Sequence, residues 1–237
     1  LVAIRPSTGE ILAMVGSPDF NDQDHAGQIN MAIQPRQPGS SIKPLTYVAA
    51  FEKGWTPSTL IWDVPTDFPP SGDPNDTNPR YEPVNYDGRF HGPVTVRDAL
   101  ANSYNIPAVK ALQYVGIQNM LEMAHRLGIQ SLNRPDYGLS LTLGGGDVTL
   151  LEMAGAYQTF ANSGMRMSPT PIRRIVDSEG HVIESADTGR GTQVISPQQA
   201  YLITDILSDN NARLPAFGPG NLLEESRPVA SDVIRAD

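Results

Sequence analysis

The sequence predicts a mixed α/β fold of the α+β kind, an antiparallel sheet of short strands set against an all-helical lobe. Three observations carry this. Apolar runs flank Pro6-Ser7-Thr8-Gly9 near the start and Asp177-Ser178-Glu179-Gly180 further on, and each arrangement is a hairpin signature. Thr95, Thr149 and Ser196 each stand three residues before an acid or amide, the spacing of a box that opens a helix. Finally, 237 residues with 39% hydrophobic and 18% charged content can bury a substantial core and do not resemble a disordered chain.

In chain order, Leu1 to Arg5 and Glu10 to Val15 form the first hairpin, and residues 17–30, rich in Asp, Asn, Gln and Gly, read as a loop. A helix begins about Ser40, runs through the apolar stretch Leu45 to Phe51 and ends near Gly54. Trp55 to His91 is irregular, and Pro69-Pro70 and Asp73-Pro74 exclude a long helix there. Its aromatics (Trp55, Trp62, Phe68, Tyr81, Tyr86, Phe90) are expected to be packing anchors rather than substrate contacts. Thr95-Val96-Arg97-Asp98 opens a short helix to about Asn102. The chain then breaks at Ser103-Tyr104-Asn105 and restarts at Pro107, a residue suited to a first helical turn. A further helix spans Ile117 to Leu127 and stops at Gly128. Leu143-Gly144-Gly145-Gly146-Asp147 gives a tight turn before the Thr149 box starts an apolar helix to Asn162. The second hairpin joins Pro171–Val176 to His181–Ile183, and Ser196 opens the last clear helix.

Composition excludes several classes of function. A net charge of −9 offers no basic face for nucleic-acid phosphates and no polybasic patch for anionic lipid. Without cysteine there are no disulfides or thiolate metal sites, and the four His show no metal-ligand spacing. No cofactor is expected. The Gly144–Gly146 run lacks the Lys-Ser/Thr or Gly-x-Gly-x-x-Gly context of a phosphate loop. No apolar run approaches the roughly 18 residues of a membrane span, and no signal peptide opens the chain. Beginning directly on a strand pattern, it reads as an excised domain.

The chemistry centres on Gln37-Pro38-Gly39-Ser40-Ser41-Ile42-Lys43-Pro44. Three helical residues turn through about 300°, so Ser40 and Lys43 share a face one turn apart. At a helix start, free N–H groups and the macrodipole favour negative charge on the Ser40 oxygen. A desolvated, neutral Lys43 amine can take its proton. With 17 Ser and three Lys, chance supplies about 0.2 Ser-x-x-Lys matches, and the alternative is an N-cap Ser followed by a solvated Lys. Ser41 has Pro44, not Lys, three residues on.

Arg36 to Pro44 resembles the active-site serine segment of penicillin-binding proteins, closest to the transpeptidase domain of the bifunctional class A type. The resemblance extends from Leu1 to about Ala230. It includes Ser103-Tyr104-Asn105, Asn85-Tyr86-Asp87-Gly88 with Phe90-His91-Gly92-Pro93-Val94, and Leu143 to Thr149. It implies a penicillin-binding, serine β-lactamase-like fold and acyl transfer on a peptidoglycan stem peptide ending in D-Ala-D-Ala. Ser40 would be the nucleophile, Lys43 the base and Ser103 a proton relay, while Asn105 would bond the substrate amide or Lys43. β-Lactams would acylate Ser40. The implied location is the extracytoplasmic face of the bacterial membrane, held by an anchor of the parent protein, with cell-wall synthesis proteins as partners. Ser131-Leu132-Asn133 and Ser208-Asp209-Asn210 rival Ser103-Tyr104-Asn105 as spellings of the second motif. The family's order and spacing select Ser103 and Asn105.

The family's third motif, Lys-Thr-Gly, is absent: no Lys follows Lys110, and Asp187-Thr188-Gly189 carries the wrong charge. The expectation is therefore a transpeptidase domain over 1–230 that is incomplete, lacking its C-terminal strands and helix, with a divergent tail at 231–237. The resemblance assigns one of two oxyanion donors to the missing part, and losing one such donor typically costs about 10²–10³ in rate. Alternatives are a D,D-carboxypeptidase with water as acceptor and a non-catalytic scaffold or inactive fragment. A serine β-lactamase ranks lower, because no Glu-x-x-Leu-Asn-like segment is present.

Overall fold

The computed structural model describes residues 1–186 and 190–222. The first hairpin pairs β1 (Val2–Ile4) with β2 (Ile11–Met14). A 3-10 turn at Gly39–Ile42 leads into α1 (Lys43–Glu52), and Gly54 has the positive φ of a helix-ending glycine. Every residue from Lys43 to Phe51 is buried, which marks α1 as the central helix of the lobe.

The irregular stretch after α1 conceals a further antiparallel strand pair that its composition did not announce. β3 (Leu60–Asp63) pairs antiparallel with β4 (Gly92–Thr95), with Asp63 opposite Gly92. The aromatics of the stretch divide. Trp55 stacks on Tyr114, Phe68 is buried and Tyr81 packs on the core, whereas Trp62, Tyr86 and Phe90 are exposed. The packing-anchor expectation therefore fails for those last three.

The Thr95 box forms as expected, with Thr95 Oγ1 accepting from Asp98 N, and opens α2 (Val96–Ala101). α3 spans Asn105–Val115, so Asn105 is a helical residue and not part of the link. Pro107 falls inside the first turn, where its missing N–H is no loss. α4 (Ile117–Arg126) stops before Gly128, whose φ is positive. A second 3-10 turn at Leu139–Leu143 precedes α5 (Leu150–Ala161), which carries the Thr149–Glu152 box.

Short strands β5 (Met165–Arg166), β6 (Arg174–Val176), β7 (Val182–Ser185) and β8 (Thr192–Gln193) pair as β5–β8 and β6–β7. Among the described residues the antiparallel strands thus form four two-stranded pairs rather than one continuous sheet. α6 (Pro197–Ser208) opens on the Ser196 box and is followed by α7 (Asn210–Phe217), a helix the sequence did not suggest. The core unites α1 with α3, α4 and α6, while α5 packs on β1 and α6, and α2 on α6 and α7. No helix among the described residues is long and apolar enough to cross a membrane. Asp187-Thr188-Gly189 and the tail at 231–237 lie outside the described residues.

Candidate active site

Ser40 is the second residue of the 3-10 turn, where the N–H has no intrahelical partner. Ser40 is exposed. Ser41 differs. Its hydroxyl donates to Pro38 O at 2.7 Å, and its carbonyl accepts from the Tyr157 hydroxyl at 2.8 Å. So Ser41 is tied into the turn and Ser40 is presented.

The backbone here is shaped by glycine. Gly39 has a φ of +58°, and Gly144, at +95°, lies against it. A Cβ on Gly144 would fall 2.4 Å from Gly39 N. Only a residue without a side chain lets the Leu139–Leu143 turn approach the Ser40 segment this closely. A tight turn at Gly144 is expected from the glycine run and its left-handed backbone fits it, but this contact is not legible there.

Lys43 reaches across to the α2–α3 link. Its Nζ donates to Ser103 O at 2.5 Å, Ser103 Oγ at 3.0 Å and Asn105 Oδ1 at 2.8 Å. The side chain is only 1% exposed, and burial lowers the amine's pKa to about 7. Three neutral acceptors surround it and no carboxylate pairs with it among the described residues, so the amine is poised between its two forms near neutrality.

Ser103 occupies an unusual position. α2 ends in a Schellman cap: Ser103 N donates to Leu100 O at 3.1 Å and Tyr104 N donates to Ala99 O at 2.9 Å. The left-handed residue of that cap is normally Gly, yet here Ser103 holds a φ of +55°. The strained backbone directs both its carbonyl and its hydroxyl at Lys43. Asn105 is fixed from the other side, its Nδ2 donating to Val84 O at 2.7 Å and its N to Asn85 Oδ1 at 2.7 Å.

The structure therefore bonds Lys43 to both Ser103 and Asn105, and Ser40, Lys43 and Ser103 line one cavity of about 530 Å³ while Asn105 stands behind it. The cavity is otherwise walled by Pro44 and Tyr157, by the ends of α2 and α6, and by Arg213 and Phe217 of α7. Arg213 is buried and donates to Leu207 O. The rival triplets sit elsewhere in structural roles. Ser131 Oγ donates to Glu152, and Asp209 caps α7 while pairing with Arg97. Behind the link lie Asn85 and His91, which the sequence marks only as part of the family resemblance and without a role, and Asp63, which it does not mark at all. Among the described residues no group of His, Asp and Glu is arranged to hold a metal ion.

The helical lobe thus presents an exposed serine and a buried lysine, its pKa lowered to about 7, on one cavity. Residues 1–214 match the penicillin binding protein transpeptidase domain. Penicillin-binding protein 1A of Neisseria lactamica is 38% identical over 214 residues, 88% of this chain and 26% of the relative. That of Aquifex aeolicus is 41% identical over 185 residues, 78% of this chain and 24% of the relative. Among solved structures, penicillin-binding protein 1A from Haemophilus influenzae aligns with a TM-score of 0.76 at 30% identity, covering 87% of this chain and 34% of that one. Penicillin-binding protein A from M. tuberculosis, as an imipenem acyl-enzyme complex, aligns at 0.75 and 23% identity over 91% of this chain and 57% of that one, a likeness of fold. The chain belongs to the penicillin-binding protein transpeptidase family. It spans about a quarter of the length of the curated relatives it matches.

Proposed function

We propose that this chain carries the acyl-transfer site of a peptidoglycan D,D-transpeptidase that crosslinks stem peptides and is inhibited by β-lactams. The observation that carries the reading is Lys43 Nζ, buried, near-neutral, and within 3.0 Å of Ser103 Oγ and 2.8 Å of Asn105 Oδ1, one turn from the presented Ser40. In the first step Ser40 Oγ attacks the carbonyl of the penultimate D-Ala and passes its proton to Lys43. As the peptide C–N bond breaks, the terminal D-Ala amine takes a proton through Ser103, leaving an ester on Ser40. In the second step an amine of another stem peptide attacks that ester, forms the crosslink and returns the proton to Ser40. A β-lactam amide enters the first step, but its leaving amine stays tethered. Because Lys43 is poised between its charged and neutral forms near neutrality, Arg213 is the permanent cation among the described residues lining the cavity. That suits a substrate ending in a carboxylate. The setting is the extracytoplasmic face of the bacterial membrane, the parent protein supplying the anchor.

A stem pentapeptide ending in D-Ala-D-Ala, incubated with the protein and an amine acceptor, tests the reading by mass spectrometry. Acceptor-linked product supports transpeptidation, and free tetrapeptide alone makes the protein a D,D-carboxypeptidase. An unchanged peptide, with folded protein, overturns the reading in favour of a penicillin-binding scaffold without turnover.

A further inference from the structure

Behind the α2–α3 link lies a buried polar cluster that the acyl-transfer chemistry above does not use. Asn85 is its centre. Its Oδ1 accepts from Asn105 N at 2.7 Å, and Asn105 is the first residue of α3, where no side chain of the helix's own cap reaches. Its Nδ2 donates to Asp63 Oδ2 at 2.8 Å and to Arg89 O at 2.8 Å, so the amide is oriented at both ends. The neighbouring carbonyl of Val84 accepts from Asn105 Nδ2, which leaves Asn105 Oδ1 to face Lys43.

The third residue of the link is held as well. The His91 ring lies on the Tyr104 ring at 3.9 Å between centroids and 15° between planes. His91 Nδ1 contacts Asp63 Oδ2 at 2.6 Å, His91 N donates to the same oxygen at 3.0 Å, and Nε2 meets Asp87 Oδ2 at 3.1 Å. Asp63, fully buried, ends β3, and His91 immediately precedes its partner β4. The cluster is thus built on a strand pair, and a strained φ such as that of Ser103 persists only where the surroundings over-determine it.

We infer that Asn85, backed by Asp63 and His91, is a positioning residue that sets Ser103 and Asn105 against Lys43. This rests on the acyl-transfer reading of Ser40 and Lys43. The bland alternative is a tertiary cap of α3, which affects stability and nothing else. The two differ in what happens at Lys43. Without Asn85, Asn105 is free to withdraw its Oδ1, and the ammonium form of Lys43 loses an acceptor.

The test uses Asn85→Ala, Asn85→Asp and the exchanged pair Asp63→Asn/Asn85→Asp. Asn85→Asp keeps the acceptor for Asn105 N but sets two carboxylates together, and the exchanged pair restores one amide facing one carboxylate. Each protein is read by the rate of acylation with a fluorescent penicillin and by NMR titration of Lys43. With only three lysines, the Lys43 signal is assignable by substitution. The expected result is acylation slowed on the order of 10²-fold in both single variants, largely recovered in the exchanged pair, with the Lys43 midpoint falling below about 7 in Asn85→Ala. Unchanged acylation and an unchanged midpoint in folded Asn85→Ala overturn the inference. If Asn85→Ala does not fold, failure of the exchanged pair to recover what Asn85→Asp loses overturns it. If the wild type is not acylated at all, the acyl-transfer reading fails, and the Lys43 midpoint alone decides whether Asn85 positions the link.

Discussion

Lys43 shows how a residue's environment, not its type, makes it a base. Its stem descends into the lobe on the first turn of a helix buried from Lys43 to Phe51, and desolvation brings its amine to about 7 from a usual 10.5. The unfolded chain therefore binds the extra proton between those values, so stability rises with pH across the window. Chemical denaturation from pH 7 to about 9, before tyrosines ionise in the unfolded chain, is expected to show that rise in the wild type and lose it in Lys43→Met. The acylation rate should likewise climb through about pH 7 as the amine becomes free and then level off. A flat rate profile across that range means Lys43 is not the base. Ser40 and Lys43 could be read from the sequence because both lie on one local turn with a distinctive spacing. Asn85 and Asp63 could not, because 22 residues separate two groups that only the strand pair brings within 2.8 Å.

At the level of elements, the α2–α3 link trades stability for geometry. A Schellman cap wants glycine at its left-handed position, and the chain places Ser103 there with φ +55°. Ser103→Gly is expected to raise stability by about 0.5–1 kcal/mol while removing the hydroxyl that meets Lys43 at 3.0 Å. A higher melting temperature together with a large loss of acylation is the predicted pair of results. A variant that melts lower would mean the backbone at 103 is not strained. Sequence pattern recovered this cap's neighbours well. The boxes at Thr95, Thr149 and Ser196 each form, because capping is decided within four residues. It placed the α3 start two residues late, taking Pro107 for the first position when Asn105 already holds it.

Across the whole molecule, what the sequence left unread is non-local. β3 and β4 are short, lie either side of a Pro- and Gly-rich excursion, and find each other only in three dimensions. α7 was masked because Ser208-Asp209-Asn210 reads as helix termination. Asp209 does follow the end of α6, but its side chain also accepts from Ala212 N and opens the next helix. α7 then closes one wall of the cavity with Arg213 and Phe217, and Asn102 ties it to α2 through Ala212 O at 2.8 Å and Ala216 N at 2.9 Å. The lobe thus assembles Ser40, Lys43 and Ser103 on one cavity from two separate segments, the turn that opens α1 and the α2–α3 link. Intact mass after incubation with a fluorescent penicillin tests this assembly most directly, run beside Ser40→Ala and Ser41→Ala. A one-to-one adduct is expected on the wild type and on Ser41→Ala, and its loss in Ser40→Ala. Folded wild-type protein without an adduct, or an adduct that survives Ser40→Ala, contradicts the assembly.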